Sequence, residues 1–244
     1  NATTRIPHCT AGTLLNGSFD GSYASGIGAN WTSYLRAPNP TIVLWSIQTA
    51  SPPSGGGLQY QQIATTNSTG GAGVRQNITG CTIGSTYIIS GWMRGNSASS
   101  TCTVKVSPTA STIWSTAIHL TPPQTYSGTT WVPFSGTVVA TGNTMTLWLD
   151  GQTSGTRNFN TACFDGVTVS CPPEFRLNAT AVLSPSRVNL VVSNAPYASV
   201  TIQQSSDLVN WTVLTNMAAI NGTARFTDTA TTNDARRFYN ATSP

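Results

Sequence analysis

Charge is what this chain has least of. Eleven Lys and Arg residues stand against seven Asp and Glu in 244 residues, with only two histidines, His8 and His119. The carboxylates Asp20, Asp150, Asp165, Glu174, Asp207, Asp228 and Asp234 complete the inventory for general acid/base work. Hydrolysis by paired carboxylates needs two acids close together in a cleft with separated pKa values. Only Asp228 and Asp234 lie within six residues of each other, in a turn-like stretch, so the sequence argues against an enzyme. Cations are scattered singly apart from Arg236-Arg237, which excludes a nucleic-acid footprint despite the net charge of +4. No apolar run is long enough to span a membrane, and no signal peptide is present, so no membrane insertion is expected. Cysteine is scarce as well. Cys9, Cys81, Cys102, Cys163 and Cys171 show no CxxC spacing, which speaks against zinc. Sparse, widely spaced cysteines suit an oxidising, extracellular or cell-surface setting, and the odd count leaves one thiol free or open to another chain. The chain opens at Asn1 rather than at Met, as a processed secreted protein would.

What is abundant is β signal. The 22 Gly and 14 Pro fall as punctuation every eight to twelve residues, the rhythm of an all-β protein. Runs such as STIW and SGTVVATGNTMTLWL alternate β-branched with small polar residues and read as strand. The clearest boundary is Ser170-Cys171-Pro172-Pro173, where two prolines stop a strand-like FDGVTVS. This predicts one domain over 1–171 and a second over 174–244, the latter the size of a single β-sandwich module.

Within the first domain, TYIISGWMR (86–94) and TCTVKVS (101–107) read as a hairpin closed by Gly95 to Ser100. Alternation puts Tyr87, Ile89 and Met93 on one face, and Ile88, Trp92 and Arg94 on the other. Val104 and Val106 oppose Thr103 and Lys105 in the same way. Met145, Leu147 and Leu149 oppose Trp148 and Asp150. Two readings of the second face stand side by side: a shallow polar-aromatic groove, or tryptophans covered by a loop. Nine Asn-x-Ser/Thr sequons, at Asn1, Asn16, Asn30, Asn67, Asn77, Asn178, Asn210, Asn221 and Asn240, are glycosylation candidates where a host has the machinery.

LLNGSFDG, NWTSY, TYIISGWMR, TLWLDG and FDGVTVS, in that order over about residues 9–170, resemble the galactose-binding-like jelly roll of many bacterial carbohydrate-binding modules. VTIQQSSDLVNWTVL with RFTDTATTNDARRFYNATSP is similar to the short fibronectin-III-like modules that end many secreted bacterial proteins. The fold expected is therefore all-β: a jelly-roll β-sandwich plus a smaller fibronectin-III or immunoglobulin-like β-sandwich, with Trp211 and Tyr239 in the smaller core. The resemblance implies a structural Ca2+ site at Asp20 and Asp165, although both acids precede Gly and could equally cap turns. It implies glycan contacts from Trp92 and Trp148 by stacking, and from Arg94, Lys105 and Asp150 by hydrogen bonds. If Asp20 and Asp165 share a site, the first and last strands lie side by side and a Cys9–Cys171 disulfide follows. Cys102–Cys163 is the second expected pair, leaving Cys81 unpaired or bonded to another chain.

Two non-catalytic functions fit these features. The leading expectation is a structural subunit of an extracellular appendage, filament or matrix, with copies of itself as partners. A weakly charged β surface tolerates close packing, and unpaired strand edges invite another chain. The N-terminal residues Asn1, Ala2, Thr3, Thr4, Arg5, Ile6 and Pro7 would reach a neighbour, with Arg236 and Arg237 as its polar contacts. The alternative is a glycan-binding module whose partner is a polysaccharide.

Overall fold

Turn residues cut the chain into short extended segments. The computed structural model describes residues 9–36, 42–66, 70–97, 99–126, 130–153, 160–172, 176–183, 186–193, 199–229 and 237–242. Among them are nineteen strands and a single 3-10 turn, Trp114–Thr116. No helix among the described residues is long and apolar enough to cross a membrane. The chain divides into two compact units, residues 1–172 and 173–244.

The first unit is a jelly-roll β-sandwich. It opens with a two-residue ribbon, β1 (Tyr23–Ala24) and β2 (Ile27–Gly28), whose Ser25 and Gly26 both have positive φ, as a tight hairpin turn requires. One main sheet contains β3 (Thr32–Arg36), β6 (Gly71–Thr79), β8 (Ser100–Ser107), β9 (Ile118–His119), β10 (Gln124–Tyr126) and β12 (Thr144–Thr153). Its order is β10-β8-β12-β6-β3, with β9 also pairing β8. The other contains β4 (Ile42–Gln48), β5 (Tyr60–Thr66), β7 (Thr86–Gly95), β11 (Val132–Val139) and β13 (Asn160–Ser170), in the order β11-β7-β13-β5-β4. All pairings are antiparallel.

Period-two alternation builds the core between the sheets. Tyr87, Ile89 and Met93 of β7 meet Val104, Leu147 and Leu149 from the facing sheet, all at 2% exposure or less. The face assignments from alternation therefore hold. The hairpin does not. β7 and β8 belong to different sheets, so their connection is an arch between layers. Its polar side chains bond to β13 and to the arch itself. Asn96 Oδ1 accepts from Thr161 N (2.9 Å) and Ser100 Oγ (2.9 Å), and Ser97 Oγ donates to Asn160 Oδ1 (2.6 Å). The stretch STIW is likewise not a strand; it forms the loop that ends in the 3-10 turn. SGTVVATGNTMTLWL divides between β11 and β12 around the turn at 140–143.

Cys9 and Cys171 are joined by a disulfide with Cα atoms 5.8 Å apart, closing a loop across 162 positions. Segment 13–19 runs beside β6 and β13 through Thr13–Thr79 backbone bonds and Val167 N to Gly17 O (2.9 Å), without forming a ladder with the last strand. Cys102 and Cys163 are both free thiols, contrary to the second expected pair. Cys102 points into the core, whereas Cys163 lies on the outer face, in the same cross-strand row as Arg94. Cys81 is free and buried.

The second unit holds two three-stranded antiparallel sheets. One is β14 (Arg176–Leu183), β15 (Ser186–Ser193) and β18 (Ala224–Asp228), in the order β14-β15-β18. The other is β16 (Ser199–Ser205), β17 (Thr212–Ala218) and β19 (Phe238–Thr242), in the order β17-β16-β19. Leu190, Val192, Val200, Ile202 and Ala224 form its core, with Tyr239 packed against them. Trp211 is half-buried and stands outside that cluster, unlike the expectation for it. Asp228 is 3% exposed and receives Arg237 Nη1 (2.6 Å) and Tyr239 OH (2.9 Å), which fastens the closing strand.

Candidate functional site

The residues expected to share one glycan face fall on opposite sides of the sandwich. Trp92 and Arg94 lie on the outer face of the β7 sheet, whereas Lys105, Trp148 and Asp150 lie on the outer face of the β8 sheet. The arch between β7 and β8 separates them.

On the β8 sheet, strand register aligns Thr32, Arg75, Trp148, Lys105 and His119 in one cross-strand row. The next row brings Tyr34, Gly73, Asp150 and Thr103 together. Gly73 leaves room where any Cβ would meet the Tyr34 hydroxyl at 2.5 Å and its Cε1 at 2.7 Å. Trp148 points outward yet is 1% exposed. Trp114 on the 3-10 turn packs edge-on to it with ring centroids 6.0 Å apart, Tyr34 meets it edge-on at 4.8 Å, and the Arg75 guanidinium lies 5.1 Å from its centroid. Of the two readings left open for this indole, cover by a loop is the one realised.

That cover is held by named bonds. Ser111 N donates to Thr146 Oγ1 (3.0 Å), which donates to Asn77 Oδ1 (2.9 Å). Ser111 Oγ accepts from Ile113 N (3.0 Å), and Lys105 Nζ donates to Trp114 O (3.2 Å). Asp150 is fully buried; it receives Arg36 Nη2 (2.9 Å) and Tyr34 OH (2.9 Å). Burial pushes its carboxyl up to about 6, against the opposing pull of Arg36 and Tyr34. Burial also lowers the Lys105 ammonium, assisted by Arg36 and opposed by Asp150. Lys105, Trp148 and Asp150 are thus a floor beneath other side chains rather than ligand contacts.

Beside this floor opens a groove of about 360 Å³, within the usual range for ligand pockets. Asn30, Thr32, Arg75, Asn77, Ser111 and Thr112 line it. Tyr34, Arg36, Arg75 and Trp114 were not singled out by sequence. Alternation in TSYLR and GVRQN does put Thr32, Tyr34, Arg36 and Arg75 on outward positions, but nothing local reveals that Trp114 folds back over β12.

On the opposite outer face, Arg94 lies between the rings of Tyr60 and Trp131, 4.7 Å from each centroid, and its Nη2 donates to Tyr60 OH. Trp92 is half-buried, with exposed Pro133 opposite it on one side and Asp165 on the other. Arg94 is therefore stacked within the protein, and the register partners of Trp92 are Pro133 and Asp165 rather than a cation.

Asp20 and Asp165 do converge. Both flank the Gly55–Gly57 loop: an ideal Cβ on Gly56 would lie 2.3 Å from Asp165 Oδ2, and one on Gly57 would lie 2.0 Å from Asp20 Oδ2. Asp20 Oδ1 accepts from Leu58 N (2.6 Å) and Gln59 N (2.9 Å). Asp165 Oδ1 accepts from Gly166 N (2.6 Å), but its Oδ2 is buried without a hydrogen-bond partner among the described residues. Burial raises the Asp165 carboxyl to about 8; the Gly166 N–H opposes this and the Asp20 charge adds to it. An orphaned carboxylate oxygen beside a second acid fits a hard cation completed by carbonyl and water oxygens. Among the described residues no group of three or more His, Cys, Asp or Glu side chains forms.

The proposed assembly contacts fare differently. Residues 1–7 and Arg236 lie outside the described residues. Arg237 is 13% exposed and already engaged by Asp228.

No protein-family model matches the chain, and no curated protein sequence matches it. Among solved structures, TmCBM61 in complex with β-1,4-galactotriose is similar at 12% identity and a TM-score of 0.46, covering 66% of this chain and 99% of that one. The CBM22-1 xylan-binding domain of Xyn10C from Paenibacillus barcinonensis is similar at 13% and 0.42, covering 64% and 90%. The K1 cleaved adhesin domain of Lys-gingipain from Porphyromonas gingivalis W83 is similar at 12% and 0.46, covering 68% and 99%. At TM-scores below 0.5 these likenesses assign neither ligand nor activity.

The buried Asp150 gives a pH signature. Its carboxyl keeps a proton up to about pH 6 in the fold but ionises near pH 4 in an unfolded chain. The native state therefore holds the extra proton across that window, and stability falls as pH rises through it. In urea titrations, the stability advantage of wild type over Asp150→Asn should be largest near pH 4 and shrink towards pH 6. An advantage that grows with pH would show that the Arg36 pairing outweighs burial.

Proposed function

We propose that the first unit is a non-catalytic glycan-binding module and that the groove beside Arg75 is its binding site. The observation that carries this reading is the groove's lining. Hydroxyls of Thr32, Ser111 and Thr112 and amides of Asn30 and Asn77 offer donors and acceptors together, which a polyol needs. Among the described residues no carboxylate lines the groove, and none there is placed to act as a general acid or base in glycoside cleavage. This reading takes the lead over the appendage subunit; Arg237, expected there as a contact, is paired with Asp228 within its own unit, which lends the subunit reading no support. The order of the six strands in the second unit is compatible with a short fibronectin-III-like sandwich acting as a spacer.

The test is a glycan array probed with the full chain, followed by calorimetry on the best binder. Thr112→Trp places an indole in the groove from an exposed position and should weaken binding at least about tenfold, equivalent to 1.4 kcal/mol. Ser90→Trp, on the outer face of the β7 sheet, should leave affinity unchanged. The opposite pattern would move the site to the other face.

The same proposal includes a structural Ca2+ held by Asp20 and Asp165. The ion would neutralise the two facing acids and occupy the unmet Oδ2. Calcium at a hundredfold excess over its Kd should stabilise the first unit by about 2.7 kcal/mol. Asp165→Ala should remove that response. A melt indifferent to both calcium and chelator would leave the acids as turn residues.

A further inference from the structure

The groove has one feature that a neutral polyol does not call for. Arg75 lines it, and among the described residues its guanidinium has no hydrogen-bond or ion-pair partner; its contact is the Trp148 ring at 5.1 Å. The nearby acid Asp150 is already taken by Arg36 and Tyr34. The row Thr32, Arg75, Trp148, Lys105, His119 carries two cations and no carboxylate. In a chain with seven acids, Asp150 of the adjoining row offsets part of this charge but is paired with Arg36, so a net positive field remains along the face.

We propose that the groove selects an acidic saccharide, with the carboxylate of a uronic acid residue on the Arg75 guanidinium; this deepens the glycan-binding reading and rests on it. A guanidinium presents a planar fork that matches a carboxylate with two parallel N–H···O bonds. Stacking on an indole that is itself 1% exposed fixes the plane of that fork before ligand arrives. Thr32 and Asn77 sit within the same groove and would take the hydroxyls of the bound sugar or its neighbour. Lys105 adds field without contact, since it lies beneath Trp114.

The experiment is calorimetry of the full chain with three trisaccharides on one backbone: a tri-uronate, its neutral methyl ester and a sulfated counterpart. The tri-uronate should bind at least about tenfold tighter than the ester, the size of one charge-assisted contact, and should lose that margin as salt rises. Arg75→Gln should erase the preference, and Arg75→Lys, which keeps charge but not the fork, should retain only part of it. An unchanged melting temperature for either variant shows that it is folded. Equal binding of tri-uronate and ester, or a preference that survives Arg75→Gln, overturns the proposal. Tighter binding of the sulfated sugar overturns the carboxylate assignment. If the neutral ester binds and Thr112→Trp blocks it while no acidic preference appears, the glycan reading stands and this inference alone fails. If no saccharide binds, both fail.

Discussion

Trp148 points away from the sandwich core and is nonetheless 1% exposed, so something on the outer face must cover it. Burying an indole removes roughly 150–250 Å² from water, a gross gain of about 4–6 kcal/mol. Its Nε1 has no partner among the described residues, at a cost of about 1–3 kcal/mol, and the apolar gain wins. The surrounding outer face is arranged by this cover. The Ser111–Thr146–Asn77 chain pins the loop that carries Trp114, and Tyr34 closes in edge-on across Gly73. Arg75 stacks from the remaining side, and the groove is the space left between the pinned loop and segment 13–15. Site and cover are one construction.

The covering residues also explain the charge distribution. Asp150 is buried because Tyr34 and Trp114 close over its row, and Arg36 is recruited to hold its charge. That pairing leaves Arg75 as the cation available to a ligand. The orphaned oxygen in the Asp20–Asp165 pair belongs to a different environment, the Gly55–Gly57 loop, whose backbone approaches both carboxylates too closely for any side chain. The disulfide at Cys9–Cys171 ties the ends of the same unit together.

Much of this was legible in the sequence, for physical reasons that also mark where legibility stops. Alternation reports which face a residue takes, and Tyr87, Ile89, Met93, Val104 and Leu147 all turn inward as read. Alternation cannot report which sheet a strand joins, because both sheets present aliphatic side chains to the same core. Hence 86–94 and 101–107 read as a hairpin, whereas Asn96 and Ser97 tie their connection to β13 and make it an arch. The expected glycan set is divided for that reason: Trp92 and Trp148 are on the outer faces of different sheets. Trp114 escaped notice because a β-branched run beside it mimics a strand, and its role depends on contacts with residues thirty or more positions away.

The most direct test of the covered floor is residue-resolved hydroxyl-radical footprinting of the native full chain, read by mass spectrometry at each tryptophan. Trp148 should stay unmodified while half-buried Trp92, Trp114 and Trp131 are oxidised, and Trp114→Ala should make Trp148 reactive. Oxidation of Trp148 in the wild-type chain at the rate of Trp92 would mean that the outer face is open, and the groove built on its cover would not exist as described.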